Sequence, residues 1–402
     1  MEWSYLFDWA NLLLRWAHVI TAIAWIGSSF YFVFLDSSLT KPTAPDLQAK
    51  GVDGELWAVH GGGFYHPQKY LVAPKALPEK LHWFFWESYS TWLTGFALFT
   101  VLYLFNAGSF LIDPRVHAWS SSGAAVAAAL GFVFAFWFVY NALCRLLGER
   151  QGKVGGDAFV GLAVLAVVVG ASWAACQLFA GRAAFVIVGA MLATAMSANV
   201  LVWIIPGQRK VIAQMKAGLP VDAIHGQRGK QRSVHNTYFT LPVLVAMLSN
   251  HYSMLYQGAY NWAVLVVLML AGALIRHSFV ARHKALVQGV RAPWEFAALG
   301  TALLIGLAVV LAPAPQPKPI SAVPRLAEVQ AVVAQRCLAC HGEQGAQKGV
   351  TLHQPALLAQ HAQAIHQQVV LARTMPLNNA TQITDAERAL LGRWVAAGAP
   401  LE

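Results

Sequence analysis

The chain has 402 residues, of which 57% are hydrophobic and only 11% are charged. Soluble globular domains carry about 25% charged residues, so this composition excludes an ordinary soluble protein, a disordered chain and a coiled coil. The formal net charge of +10 raises the question of nucleic-acid binding, but basic residues of membrane proteins concentrate in the loops that stay inside. We therefore predict a polytopic membrane protein that binds no nucleic acid.

Eight apolar runs of near-membrane length follow one another along the first three quarters of the chain. They predict a transmembrane helix bundle. The predicted spans are Trp9–Leu35, Leu81–Phe105, Ser122–Leu147, Ala158–Phe179, Ala183–Ile205, Val234–Met254, Tyr260–Val280 and Trp294–Leu311.

The distribution of Lys and Arg between these spans predicts the orientation of the bundle. The first, third, fifth and seventh connections hold 18 of these residues, whereas the second, fourth and sixth hold only Arg115 and Arg182. Because basic loops stay inside, the odd-numbered connections are predicted to face the cytoplasm, and both termini the outside.

Beyond the last span the chain changes character. Five prolines between positions 313 and 324 predict a stiff linker. This linker divides the chain into a membrane domain (1–312) and a soluble domain (325–402). In the soluble domain, Cys337-Leu338-Ala339-Cys340-His341 has the C-x-x-C-H spacing at which c-type haem is attached. Cys337 and Cys340 would bind the haem vinyl groups, and His341 would bind the iron.

A second axial ligand is needed on the opposite side of the haem iron. Methionine is usual in cytochromes c, which favours Met375. A redox disulfide or half of a zinc site is the alternative interpretation of the cysteine pair, but the tail has no second pair. The other side chains that could serve as the second ligand are His353, His361 and His366.

The end of the chain, TMPLNNATQITDAERALLGRWVAAGAP, resembles the closing helix of small class I cytochromes c. This resemblance implies a small all-α electron-transfer domain with one haem c. It also implies attachment of the haem on the outer, periplasmic side of a bacterial inner membrane, where the charge distribution independently puts the tail. The predicted fold is therefore all-α, an eight-helix transmembrane bundle followed by a soluble cytochrome c domain.

Ionisable side chains within membrane spans are costly, so each is a candidate functional residue. His18 lies in the outer half of the first span and His251 near the outer end of the sixth. Polar residues on the inner half of the bundle include His82, Glu87, Asn199, His235 and His277. For His82 and His235 a solvated position at a helix end is an alternative, and Asn199 is equally suited to a hydrogen bond between helices.

The first span resembles two known families. Trp16-Ala17-His18-Val19, followed by Trp25-Ile26-Gly27, is similar to the first helix of the copper-resistance D proteins and of the haem-dependent membrane protoporphyrinogen oxidases. In the latter family a histidine at the matching place is thought to hold haem b. The resemblance implies His18 as a ligand of a possible haem b, with His251 as the partner of matching depth.

Over its full length the chain resembles the membrane-bound cytochrome c urate oxidases, also called urate hydroxylases. The resemblance implies oxidation of urate to 5-hydroxyisourate, with electrons passing through haem c to a respiratory-chain acceptor such as a soluble cytochrome c or a terminal oxidase, and without hydrogen peroxide. The segments that carry it are WAHVITAIAWIGSSFYFVF, ELWAVHGGGFYHPQKY, LHWFFWESYSTWLTGF and CLACH.

Such a reaction needs a proton acceptor and a pocket for a planar anion. Glu87, with His82, His235 or His277, is the candidate general base. Asn199 is a candidate for hydrogen bonds to the purine edge, and Trp83 and Trp86 are candidates for stacking.

Two other functions are compatible with parts of the pattern. A b/c-type membrane cytochrome that only carries electrons from quinol outward would need histidines 13 or 14 residues apart within one span, whereas His235 and His251 are 16 apart. A transporter with a redox-sensing tail would show repeat symmetry and broken helices in both halves, and the sequence has neither.

Overall fold

The computed structural model describes residues 3–70, 73–312, 323–343 and 349–401, and it is mostly helical. Most of the predicted proline-rich linker, residues 313–322, lies outside the described residues. The buried apolar side chains form two separate clusters, one in the first 312 residues and one in the tail.

The helices before the linker are α1 (Trp3–Ser38), α2 (Pro45–Lys50), α3 (Trp86–Phe99), α4 (Ala107–Phe110), α5 (Ser122–Gly148), α6 (Asp157–Leu178), α7 (Gly181–Asn199), α8 (Ile205–Lys216), α9 (Ala223–Leu248), α10 (Asn261–Gln288) and α11 (Glu295–Val310). Short π-helical segments, Thr100–Leu104 and Val200–Ile204, continue α3 and α7. Two 3-10 turns, Ser249–His251 and Ser253–Leu255, follow α9.

A helix covers most of each predicted span. Among the described residues, five helical stretches are long and apolar enough to cross a membrane, and α11 is apolar but shorter. The mostly helical fold is thus confirmed, whereas the number of eight transmembrane helices stays a prediction. The five stretches are Trp9–Ser38, Ser122–Gly148, Asp157–Leu178, Gly181–Lys216 and Asn261–Gln288.

Several predicted span boundaries differ from the helix ends by five residues or more, and two of these differences affect candidate site residues. The second span was expected from Leu81, but Phe85 has a φ of −143°, outside the helical region, and α3 begins only at Trp86. The sixth span was expected from Val234, but α9 begins after Asp222, whose side chain accepts a hydrogen bond from the Ile224 N–H (2.9 Å). Polar helical turns are invisible to a search for apolar runs, which explains the second error.

Two cations of the charge count are not in loops. Arg232 and Arg276 were counted as loop cations, but both are buried, Arg232 in α9 and Arg276 in α10, where it already lay within the predicted span Tyr260–Val280. These two residues therefore do not indicate the orientation of the bundle. The excess of Lys and Arg in the odd-numbered connections depends on the other cations.

α7 is the central helix of the bundle, because most of its residues are buried by α5, α6 and α9. Small residues allow this close packing. A Cβ atom at Gly189 would lie 2.9 Å from the Cβ of Ala246 on α9. By contrast, α1 contacts only a few neighbours and exposes large apolar side chains such as Trp16 and Ile23 on the outside of the bundle.

The first connection folds into two nested antiparallel hairpins. The strands β1 (Gly54–Glu55) and β4 (Gln68–Lys69) enclose β2 (Ala58–His60) and β3 (Gly63–Tyr65). Gly61 and Gly62 form the turn with φ values of +59° and +79°, which glycine adopts without strain. A third hairpin, β5 (Glu149–Arg150) with β6 (Lys153–Val154), joins α5 to α6.

The tail is a small helical unit around its own core. Its helices are α12 (Leu326–Arg336), α13 (Leu338–His341), α14 (Pro355–Gln360), α15 (Ala362–Ile365) and α16 (Asp385–Ala396), with a π-helical segment at His366–Leu371 and a 3-10 turn at Leu377–Asn379. Trp394 and Leu391 of α16 are fully buried in the core. Arg336 at the end of α12 pairs with Glu387 of α16 (3.0 Å), so the two helices are held together by charge as well as by apolar contact.

The contact between α10 and α11 depends on Gly300. A Cβ atom there would lie 2.8 Å from the Ala271 carbonyl oxygen and 2.9 Å from Ile275 Cγ1. We expect Gly300→Ala to destabilise the purified protein by about 1–3 kcal/mol, because the helices would have to move apart. Thermal denaturation in detergent measures this. Gly306→Ala on the same helix, where a Cβ meets no atom within 4 Å, is the control, and an equal loss of stability there would contradict the explanation.

Candidate functional site

A hydrogen-bonded polar network crosses three helices inside the apolar bundle. Asn199, at the end of α7, is fully buried. Its Nδ2 donates to the Tyr140 hydroxyl (3.1 Å) on α5 and to Asn236 Oδ1 (3.0 Å) on α9. A further hydrogen bond joins the Tyr140 hydroxyl to His235 Nδ1 (2.8 Å). The network thus brings together two predicted site residues, Asn199 and His235, and adds Tyr140 and Asn236.

Local helix geometry explains why these residues meet. Arg232, His235 and Asn236 are three and four residues apart on α9, so they lie on one face of the helix. Asn199 is followed directly by the π-helical segment Val200–Ile204. Single π-helical turns inside α-helices occur frequently at functional sites.

Arg232 is a member of this site that sequence reasoning missed. Its side chain is 1% exposed. Nη2 donates to Asn141 Oδ1 (3.1 Å), and the guanidinium carbon lies 5.1 Å from the ring centre of Tyr140 and 5.5 Å from that of Trp203. Its Nε and Nη1 have no hydrogen-bond partner within the described part of the chain. The sequence feature that could have identified Arg232 as a site residue is its position three residues before His235, which puts the two on one face of a helix.

His277 lies in a second, smaller group. A hydrogen bond joins its Nδ1 to the hydroxyl of Tyr238 (2.8 Å), and its ring meets Phe296 edge-on at 4.6 Å. The neighbouring Arg276 is 8% exposed and lies 3.8 Å over the ring of Phe30.

The other predicted inner residues are not joined to the network by any described hydrogen bond. Glu87 is half-buried in the first turn of α3, where a carboxylate is favoured by the helix dipole. His82 and Trp86 are exposed, and Trp83 faces Arg209 at 5.8 Å.

His18 packs against α3 rather than against His251. Its Nδ1 lies 3.2 Å from both the Thr91 carbonyl oxygen and Thr94 Oγ1. Its ring occupies space that only a glycine leaves free, since a Cβ at Gly95 would be 2.7 Å from His18 Cε1. His251 lies beyond the end of α9 and is exposed, and no hydrogen bond or ring contact between described residues joins it to His18.

In the tail, the C-x-x-C-H residues form a single helical turn. Cys337 precedes α13 instead of lying within it, and the Cys340 and His341 N–H groups both donate to the Cys337 carbonyl. Both cysteines are free. Burial raises the pKa of the Cys337 thiol to about 11. His341 Nδ1 lies 3.1 Å from the Val350 carbonyl oxygen, which leaves Nε2 as the uncommitted ring nitrogen.

Arg388 supports the chain around Met375 from the inside of the tail. This arginine of α16 is 6% exposed. Its Nη1 donates to the carbonyl oxygens of Met375 (2.9 Å) and Val369, and its Nη2 lies 3.4 Å from Asn379 Oδ1. One side chain thereby holds one acceptor of the π-helical segment, at Val369, and two acceptors of the chain that follows it.

The same loop of the tail contacts the bundle. Ser253 Oγ donates to the Ala372 carbonyl, and Gln257 Nε2 donates to the Arg373 carbonyl (2.9 Å). A polar cleft of about 620 Å³ lies along this contact, and Arg182 and Arg388 are among its lining residues. Met375 follows two residues after Arg373, so its segment adjoins the bundle.

Within the described ranges, no group of three or more His, Cys, Asp or Glu side chains is arranged to hold a metal ion. An iron already held in a haem needs only two axial protein ligands. The predicted pair of axial ligands, His341 and Met375, would therefore be a different kind of site from a cluster of three or more metal ligands.

Comparison with known proteins identifies the bundle. The family model described as urate oxidase N-terminal matches residues 4–312. The chain belongs to this family. The match covers the whole predicted membrane domain and ends before the tail. No curated protein and no solved structure matches the chain.

The ion pair between α12 and α16 makes the stability of the tail pH-dependent. Burial alone would raise the pKa of Glu387, but hydrogen bonds from Thr384 and Arg336 lower it below the ordinary value. The ionised carboxylate therefore stabilises the folded tail at neutral pH, and this contribution is lost as the pH falls through the folded-state pKa.

We expect Glu387→Gln to destabilise the tail by about 1 kcal/mol at pH 7, because a helix cap and an ion pair are weakened. The difference from the wild type should shrink as the pH falls below the ordinary carboxyl pKa of about 4.3, and it should disappear only below the folded-state pKa of Glu387, which is lower. Urea unfolding of the full chain measures the stability difference at neutral and at acid pH, if unfolding of the tail is detected by its cleavage with a protease. The exposed Glu343→Gln is the control, and a Glu387→Gln difference that persists unchanged in acid would contradict the assignment.

Proposed function

We propose that the protein is a membrane-bound urate oxidase that hydroxylates urate to 5-hydroxyisourate and delivers the electrons to the respiratory chain. The family match across residues 4–312 carries this proposal, since it links the helical bundle to urate. The Cys337–His341 motif supports a one-electron acceptor in the same chain. With such an acceptor, the reaction needs no molecular oxygen and forms no hydrogen peroxide.

The composition of the bundle surface supports a position in the bacterial inner membrane. Large apolar side chains cover the outside of α1 and α6, where a soluble protein would carry charges. The excess of cations in the odd-numbered connections supports a cytoplasmic inner face and a periplasmic tail. Urate would then enter from the cytoplasm, and electrons would leave on the opposite side.

The overall reaction defines what the site must do. Urate and water form 5-hydroxyisourate and release two electrons and two protons. A two-electron oxidation makes C5 electrophilic, and water then attacks it, so the site must accept protons and orient a planar anion. The candidate proton acceptors are Glu87, His82, His235 and His277, and the candidate substrate-binding residues are Asn199, Trp83 and Trp86.

The hydrogen bonds favour a central role for His235 and Asn199. A hydrogen bond with the Tyr140 hydroxyl holds His235 by Nδ1 (2.8 Å). In the tautomer whose Nδ1–H donates to the Tyr140 oxygen, Nε2 is available to take a proton. Asn199 retains an unpaired buried Oδ1 among the described residues. Such an acceptor suits an N–H group of a purine.

The tail residues fit haem c. Two free thiols three residues apart, an imidazole whose Nδ1 is already hydrogen-bonded, and a methionine thioether form the expected donor set. Bound at Cys337, Cys340, His341 and Met375, haem c supplies the one-electron redox chemistry that the protein side chains lack. Arg388 would keep the Met375 backbone in position. The respiratory partner would be a soluble cytochrome c or a terminal oxidase.

A haem b between His18 and His251 stays a prediction. The Nδ1 contacts of His18 with α3 leave its Nε2 uncommitted, which supports a ligand role for His18. The pyridine haemochrome spectrum of the purified protein distinguishes one haem c from a haem c with a haem b.

We expect membranes that contain the full chain to consume urate with reduction of a c-type cytochrome and without peroxide. His341→Ala should abolish turnover with a respiratory acceptor, because one axial ligand of the haem iron is lost. Urate absorbance, the reduced-minus-oxidised spectrum and a peroxide assay measure these results. Reduction by quinol but not by urate would instead favour the pure electron carrier.

Glu87→Gln tests the proposed acid–base group, since it preserves shape and removes the base. We expect kcat to fall about 10²- to 10⁴-fold if Glu87 accepts the proton. Initial rates of urate oxidation at saturating urate measure kcat. Glu79→Gln, an exposed position before the same helix, is the control, and an unchanged kcat in Glu87→Gln would remove Glu87 from the mechanism and leave His235 as the favoured acceptor.

A further inference from the structure

Arg232 carries a buried positive charge that the protein itself does not neutralise by contact. Its Nη2 donates to the neutral amide of Asn141, and the Tyr140 hydroxyl and the Cys144 thiol are also neighbours of the guanidinium. The rings of Tyr140 and Trp203 cover it. None of these groups is an anion. A guanidinium group stays protonated at any accessible pH. Burying such a charge without a paired anion costs several kcal/mol. A ligand anion would remove this cost.

Arg228, one helical turn earlier, shows that α9 can pair its arginines. Its Nε and Nη2 bind the two carboxylate oxygens of Glu149 at 3.1 and 2.7 Å. Its guanidinium carbon lies over the same Trp203 ring, also at 5.5 Å. The two arginines thus share a helix and an aromatic neighbour, but only Arg232 keeps Nε and Nη1 without a partner in the described chain.

An uncommitted acceptor lies in the same network as these uncommitted donors. Asn199 Oδ1 is buried and has no partner among the described residues. Asn199 and Arg232 both contact Tyr140, one through its hydroxyl and the other over its ring. The site therefore offers two charged donors and one neutral acceptor, and the imidazole of His235 lies beside them.

The donor and acceptor types of these groups are complementary to those of an anionic oxopurine. Such an anion presents oxygen and deprotonated nitrogen acceptors beside remaining N–H donors. A planar guanidinium donates two parallel hydrogen bonds to such an edge. We propose that Arg232 binds the negatively charged edge of urate through Nε and Nη1, while Asn199 Oδ1 accepts a hydrogen bond from a purine N–H. This inference rests on the proposed function and adds the residue that recognises substrate charge.

Arg276 is the other buried arginine with unpaired donors, at Nε and Nη2. It lies over Phe30, and the neighbouring His277 is already hydrogen-bonded to Tyr238. No buried acceptor without a partner is described beside it. A purine needs donors and acceptors at the same edge, so Arg232 is the better site.

The test compares Arg232→Gln with Arg228→Gln in the full-length protein. For Arg232→Gln we expect KM for urate to rise roughly 10- to 100-fold, since hydrogen bonds to a charged group are lost. We expect kcat to change less than KM. Urate should no longer raise the melting temperature of this variant. Arg228→Gln should keep the wild-type KM and the urate-induced shift, and Arg232→Lys should lie between the two because it retains the charge without the planar fork.

The melting temperature without urate separates binding from a structural role. Removing an unpaired buried charge should leave the ligand-free protein as stable as the wild type or more stable. A lower melting temperature with an unchanged KM would assign Arg232 to packing and overturn the inference. If the wild type oxidises urate and Arg232→Gln keeps the wild-type KM, this inference alone fails. If the wild type neither oxidises nor binds urate, the proposed function fails as well.

Discussion

An amide buried in an apolar bundle must find its hydrogen-bond partners on other helices, and the polar network around Asn199 is organised by that requirement. Asn199 lies on α7, the most deeply buried helix, and reaches Tyr140 on α5 and Asn236 on α9. Since unpaired buried polar groups are costly, these bonds restrict how the three helices can rotate about their axes. The side chains that this rotation turns inward, His235 among them, become the candidate site.

The same low-polarity surroundings give the remaining unpaired groups their significance. At the protein surface, a guanidinium group or amide oxygen without a protein partner costs no free energy, because water hydrogen-bonds to it. Within the bundle the same group destabilises the folded protein unless a ligand binds to it. The uncommitted groups of Arg232 and Asn199 therefore indicate the chemistry of the ligand. The contact of the bundle with the Ala372–Arg373 loop does not involve Arg232 or Asn199. It is made by Ser253 and Gln257, beside the segment that leads to Met375. Binding and electron exit are thus assigned to different parts of the molecule.

Local patterns were the features that could be predicted reliably. Apolar runs located a helix at each expected span, and the family resemblance was confirmed for residues 4–312. Helix ends were less predictable, because α9 begins with more than two polar turns that no hydropathy search detects. That error concealed Arg232, which was interpreted as a cytoplasmic loop cation and is in fact buried. For the proposed haem c site, spacing predicted Cys337, Cys340 and His341, whereas Met375 was chosen as the usual type of second ligand. The hydrogen bonds from Arg388 and to Val350 could not be inferred from the sequence.

The sequence by itself determined that this is a mostly helical, apolar protein of the urate oxidase N-terminal family with a C-x-x-C-H tail. These properties depend on composition, hydrophobic periodicity and short spacings, all of which are local along the chain. Only the tertiary structure decided which polar side chains meet. It joined Asn199 to His235 through Tyr140 and kept both apart from His82 and Trp86. The reason is physical: helix rotation and packing are set by side chains from distant segments, and no single segment contains that information.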